Sequence, residues 1–112
     1  MYESLNDDSL QRIRNIESGF KRMYASYEIS NYPYDPRLGI HALEITRNGQ
    51  PINLLLFAPS YDGKIRSISI YGVGLQGHYN SIKHSMTVFG MKVRSISMEN
   101  GMSDYVDVIV EY

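Results

Sequence analysis

The chain has no cysteine, which excludes disulfides, thiolate zinc sites, iron–sulfur ligation and cysteine nucleophiles together. Any metal would have to be held by His, Asp or Glu. Tryptophan is also absent, and phenylalanine occurs only three times. Neither sign of charge is in excess: 11 Lys and Arg stand against 12 Asp and Glu, for a net charge of -1. A domain that tracks phosphates usually carries a basic surplus, so nucleic acid is the less favoured partner. The charges are mixed along the whole chain, with no acidic tail or polybasic block. No apolar run approaches the roughly 18–20 residues of a membrane span. The opening Met1-Tyr-Glu-Ser-Leu-Asn-Asp-Asp8 lacks the basic-then-apolar layout of a signal peptide. The expectation is a cytoplasmic protein, or one in host cytosol if its source is viral, with no membrane span.

What is present suffices for a core. Leu, Ile, Val and Phe number 8, 12, 6 and 3 among 112 residues, above the roughly 20% below which chains tend to stay disordered. That length predicts a single domain over 1–112. Leu10, Ile13, Ile16, Phe20, Met23, Tyr24 and Tyr27 recur at helical spacing and predict an amphipathic helix over about residues 7–28. Asn6 or Asp7 would cap it, with Asp7 and Asp8 at the positive end of its dipole. The segment Asn31 to Gly39, with Pro33 and Pro36, reads as the break that follows.

Asn48-Gly49 between the apolar runs Ile40–Arg47 and Ile52–Ala58 is a hairpin signal, because both turn residues tolerate positive φ. Ile52 to Ala58 hardly alternates, which suggests a central strand covered on both faces. Pro59 to Gly63 turns the chain into a third strand, Lys64 to Tyr71. Leu75, Tyr79, Ile82, Met86 and Phe89 form the stripe of a second helix ending at Gly90, a candidate αL cap. Two further strands, Met91–Met98 and Asp104–Tyr112, complete the chain, with Val106, Val108, Val110 and Tyr112 on one face. The predicted fold is α+β: an antiparallel five-stranded sheet in the order α-β-β-β-α-β-β, with both helices packed on one face. Lys64-Ile-Arg-Ser-Ile-Ser-Ile70 and Lys92-Val-Arg-Ser-Ile-Ser-Met98 agree at five of seven positions. That echo is either a duplication or two strands with similar pleat demands.

Gly72-Val-Gly74-Leu-Gln-Gly77, between a predicted strand and a predicted helix, imitates a dinucleotide-binding fingerprint. The polar, alternating strands and hairpin around it do not suit that fold, leaving a flexible connection or a weaker anion site. The three histidines lack metal-ligand spacing, since His78 and His84 are six apart, and no metal or cofactor is expected. His41 and Glu44, three apart on a strand, would point to opposite faces. No nucleophile elbow, zinc-protease helix or phosphate loop occurs, so the chain is not expected to be an enzyme; an enzyme would draw its general base from His41, His78 or His84.

The aromatic usage points elsewhere. Ten tyrosines include Tyr24, Tyr27, Tyr32 and Tyr34, beside Arg37, and Tyr and Arg are enriched in protein interfaces. Tyr27, Tyr32, Tyr34 and Arg37 are the candidate interface residues, although Tyr24 and Tyr27 read more readily as part of the helix core, with Tyr32 pinning the loop over it. The favoured reading is a non-catalytic protein-binding module, such as an inhibitor, adaptor or immunity-type protein. The alternative is a small nucleic-acid or anion binder using Arg66, Lys92, Arg94, Gly72, Gly74 and Gly77, with Lys64 extending a basic stripe if the two strands are neighbours. A homodimer paired through strand 104–112 as a sheet edge is a further possibility. Asp62-Gly-Lys-Ile, His78-Tyr-Asn-Ser-Ile-Lys83 and Phe89-Gly-Met-Lys-Val93 together resemble part of the C-terminal region of vesiculovirus matrix proteins. The resemblance leaves residues 1–60 unmatched, and no residue role is carried over from it.

Overall fold

The computed structural model describes residues 5–23, 25–35, 40–60, 62–73, 79–97 and 104–111. The element order is α1(Asp7–Met23), β1(Glu28–Asp35), β2(Ile40–Arg47), β3(Gln50–Pro59), β4(Ile65–Gly72), α2(Tyr79–Val88), β5(Lys92–Ser97) and β6(Tyr105–Glu111). The six strands form one antiparallel sheet in the spatial order β1-β2-β3-β4-β6-β5. The chain is thus α+β and antiparallel as expected, but with six strands rather than five and the order α-β-β-β-β-α-β-β. The additional strand is β1, in the segment read as a break. Pro33 is compatible with it because β1 is an edge strand, where a missing amide donor costs no ladder hydrogen bond. Strand β6 lies inside the sheet between β4 and β5, so the expected edge pairing through 104–112 has no free edge to use. The edges are β1 and β5.

Local signals explain the helix ends. Asn6 Oδ1 accepts the Ser9 amide at 2.9 Å, an N-cap bond that satisfies an otherwise orphaned donor. Helix α1 stops at Met23, short of the predicted end near 28, because the chain enters β1 at Glu28. At the end of α2, Gly90 has φ +90°, its amide bonds to the Thr87 carbonyl, and the Met91 amide bonds to the Met86 carbonyl. That double closure is a Schellman motif with Gly90 at the left-handed position. Asn48 and Gly49, at φ 52° and 76°, make the two-residue turn between β2 and β3. Residues 74–78, where the second helix was expected to begin, lie outside the described residues.

Both helices pack on one face of the sheet. Ile13, Ile16, Met86 and Phe89 join Leu43, Ile45, Leu55, Phe57, Ile68, Ile70, Val106, Val108 and Val110 in a single buried cluster. Gly19 of α1 lies directly against the Phe89 ring, where any Cβ would collide with the ring. Buried Ser9 accepts the Ile65 amide on its Oγ at 3.2 Å, and the Asn6 amide bonds to the Gly63 carbonyl at 2.8 Å, tying the start of α1 to the β3–β4 turn. Among the described residues no element lies over the other face. The expectation that β3 is central holds, but covering on both faces does not: Leu55 and Phe57 are buried beneath the helices, whereas Leu54 and Leu56 are half-buried on the open side.

Candidate functional site

Strand register shows what the open face carries. Alternate residues of a strand share a face, so the helix-side positions 43, 45, 55, 57, 68, 70, 106 and 108 assign their neighbours to the open side. One row across four strands is then Glu44, Leu54, Tyr71 and Tyr105, set by the pairs Glu44↔Leu54, Leu54↔Tyr71 and Tyr71↔Tyr105. The adjacent row is Tyr32, Ala42, Leu56, Ser69, Asp107 and Ser97. Ala42 is fully buried although no described helix covers it; its row neighbours Tyr32 and Leu56 flank it.

The two rows are locked by polar contacts. The Tyr71 and Tyr105 rings are tilted at 49° with centroids 4.8 Å apart. The Ser69 hydroxyl donates to Asp107 Oδ1 at 2.8 Å, and Tyr105 Oη lies 3.4 Å from Ser69 Oγ. Serine has one hydroxyl proton, spent on Asp107, so the Tyr105 hydroxyl is the donor in the second bond. Burial raises the Tyr105 pKa above its usual value of 10, and the nearby Asp107 charge adds to the rise, so it stays a phenol at neutral pH. At the Tyr71 end, Glu44, Ile52, Leu54, Tyr71, Val73 and Asp104 border a hollow of about 320 Å³. Tyr71 is 41% exposed and Ile52 37%.

The residues singled out from sequence do not converge on one site. Tyr32 is half-buried on the open face. Tyr27 belongs to the other side: its ring packs 5.9 Å from Phe20, and the Arg47 guanidinium sits 5.7 Å above it. The Tyr34 side chain and all of Arg37 lie outside the described residues, as do Gly74 and Gly77. Gly72 ends β4 with its amide bonded to the Asp104 carbonyl, and a Cβ there would collide with the Asn53 side chain. Gly72 also lines the hollow at the Tyr71 end of the open face.

The basic strands β4 and β5 are not neighbours, but they flank β6 in one register. Ser67 and Ser95 both face Ile109, Ile68 and Ile96 both face Val108, and Ser69 and Ser97 both face Asp107. The echoed heptapeptides therefore occupy equivalent places on either side of β6. Arg66 and Arg94 border one hollow of about 410 Å³, which Glu111 shares. Arg66 is paired with Asp62 at 2.8 Å and Lys92 with Glu111 at 3.2 Å. The Ser60 hydroxyl, the Lys64 amide and Arg66 hold the Asp62 carboxyl down at about 2.

His41 lies on the helix face, opposite in direction to Glu44 as expected, and is 4% exposed. Its Nε2 contacts Asn31 Oδ1 at 2.8 Å, and Asn31 Nδ2 donates to Glu17 Oε2 at 2.9 Å. An amide oxygen only accepts, so the ring proton is on Nε2. Nδ1 is buried and unpartnered among the described residues. Burial pulls the His41 pKa below 6.5, with the Glu17 charge opposing, and Asn31 and Lys21 lower that of Glu17. This chain links α1 to β1 and β2, running from buried His41 to the partly exposed Glu17. His84 is exposed on α2 and His78 is outside the described residues. Among the described residues no group of three His, Asp or Glu side chains could hold a metal ion, and no helix is long and apolar enough to cross a membrane.

Leu54, Leu56 and Tyr105 were not singled out by sequence reasoning, and Tyr71 only as a stacking partner for the basic strands. For Leu54 and Leu56 the signal was the unbroken apolar run in β3, since two helices packed on one face of the sheet leave the other side of that run open; Tyr105 had no such signal. No protein-family model matches the chain, and no curated protein or solved structure matches it.

Proposed function

We propose that this domain is a non-catalytic protein-binding module, of the inhibitor, adaptor or immunity-type class, whose working surface is the open face of the sheet. The observation that supports the reading is the two-row patch of Tyr32, Leu56, Leu54, Tyr71 and Tyr105 on a face with no described element over it. Tyr71 and neighbouring Ile52 are exposed and the other patch residues half-buried; apolar surface left on a small protein marks interaction sites, and tyrosine supplies large area with a polar handle. The side chains sit on paired strands, so the surface is preorganised and loses little entropy on binding.

The test is capture of a stoichiometric, nuclease-resistant protein by matched variants of the full chain. The double variant Leu56→Asp/Tyr71→Ala is expected to lose it, whereas Val88→Asp, an exposed site on α2, is expected to retain it. Retention by the first, or loss by both, overturns the reading. A second reading, a small anion or nucleic-acid binder, draws on the hollow shared by Arg66 and Arg94. It predicts affinity that falls steeply with salt and with Arg94→Ala, through counterion release.

A further inference from the structure

We infer that the hollow at the Tyr71 end of the open face takes an arginine side chain, so that the protein segment seated on this face is basic. The inference rests on the reading of that face as an interface. Leu54 at its base and the exposed Ile52 and Val73 at its rim give the hollow an apolar lining that suits a methylene stem. Carboxylates stand on both sides: Glu44 is on β2, Leu54 and Tyr71 are on β3 and β4, and Asp104 immediately precedes β6. Glu44 is half-buried beside Leu54 and forms no ion pair with the described residues, so its carboxylate is left for a cation that enters the hollow. The exposed Tyr71 ring adds a π surface on which a guanidinium stacks.

Arginine fits these features better than lysine. Its planar fork can engage a carboxylate while its face lies on an aromatic ring, and it sheds water more readily than an ammonium group. The same acids, with Asp107 in the next row, repel phosphate, so this end of the face selects against nucleic acid. The hollow, about 320 Å³, is large enough for the side chain and its guanidinium.

The experiment is an amide-shift titration of the full chain with acetyl-Ala-Arg-Ala-amide and with the same peptide carrying citrulline, the neutral isostere. The arginine peptide is expected to bind with a Kd in the millimolar range, shifting residues 44, 54, 71–73 and 104. Citrulline is expected to bind about tenfold more weakly, and E44Q to weaken the arginine peptide about threefold to tenfold without changing citrulline binding. Equal binding of the two peptides, indifference to E44Q, or stronger shifts at these residues from a single-stranded oligonucleotide overturns the inference. If it fails while Leu56→Asp/Tyr71→Ala still abolishes protein capture, the face is an interface of different chemistry. If the arginine peptide binds as expected but capture ignores the face variants, the hollow stands as a cation site and the interface reading falls.

Discussion

Leu54, Leu55 and Leu56 are three consecutive leucines of one strand, identical in chemistry and different only in the face they occupy. Truncating each to alanine therefore measures how well each side of the sheet is covered. Leu55 is 4% exposed within the helix-side cluster. Its loss removes the transfer energy of the side chain and leaves a hole that packed neighbours cannot fill, about 3 kcal/mol within the range of 2–5 known for such sites. Leu54 and Leu56 are half-buried, and water can enter the space they vacate. Partial burial without a trapped cavity is worth about 1 kcal/mol or less for each. For a chain of this length 1 kcal/mol moves the melting temperature by about 4 °C, giving a drop of about 12 °C for Leu55→Ala and at most about 4 °C for the others. The assay is urea unfolding with the slope held as a control, alongside thermal melts. Equal losses at all three positions would refute the one-sided architecture, because they would mean that something covers the second face as tightly as the helices cover the first.

Two further outcomes follow from the helix side. The folded-state pKa of His41 lies below the unfolded value of 6.5, so the unfolded chain binds the extra proton first, and stability falls as pH drops from above 6.5 through that value. Glu17, whose pKa is lowered from 4.5, adds a second loss as pH falls below 4.5. A urea midpoint that does not change between pH 7.5 and pH 5.5 would contradict the buried, singly protonated imidazole. Gly90→Ala meets no atom within 4 Å but forces a Cβ into φ +90°. The expected cost is about 1–2 kcal/mol of pure backbone strain, read as a lower unfolding midpoint with unchanged slope.

Much of the scaffold was readable from local chemistry. The Asn6 cap, the Asn48-Gly49 turn and the Gly90 terminus each depend on residues within one turn of the chain, and each forms as that chemistry requires. The failures arise where distant partners decide. Residues 28–35 become a strand because β2 offers Thr46 to Ala42 as a ladder, which outweighs the turn-forming character of Asn31 and Pro33. The site was less legible than the scaffold. Tyr27 and Tyr32 are five residues apart in sequence yet face opposite sides of the sheet, so their clustering in the chain was not a clustering in space. Tyr71 and Tyr105, 34 positions apart, meet only because β6 inserts next to β4.

That insertion also shapes the surface. Had β5 paired directly with β4, Arg66 and Arg94 would have stood on neighbouring strands as a continuous basic stripe. With β6 between them, Tyr105, Asp107 and Ile109 stand one strand in from the edge, beside Tyr71 and Ser69 of β4, and Glu111 meets Lys92 at the far end of the strand. The aromatic and acidic character of the face is thus a product of strand order, since the same residues in a sheet ordered β4-β5-β6 would lie at its margin. An apolar, tyrosine-bearing surface contributes little to the stability of the isolated chain while Tyr71 and Ile52 remain 41% and 37% exposed. Covering it would remove from water apolar area that folding alone leaves wet. The free energy this topology does not use in folding is therefore available for binding.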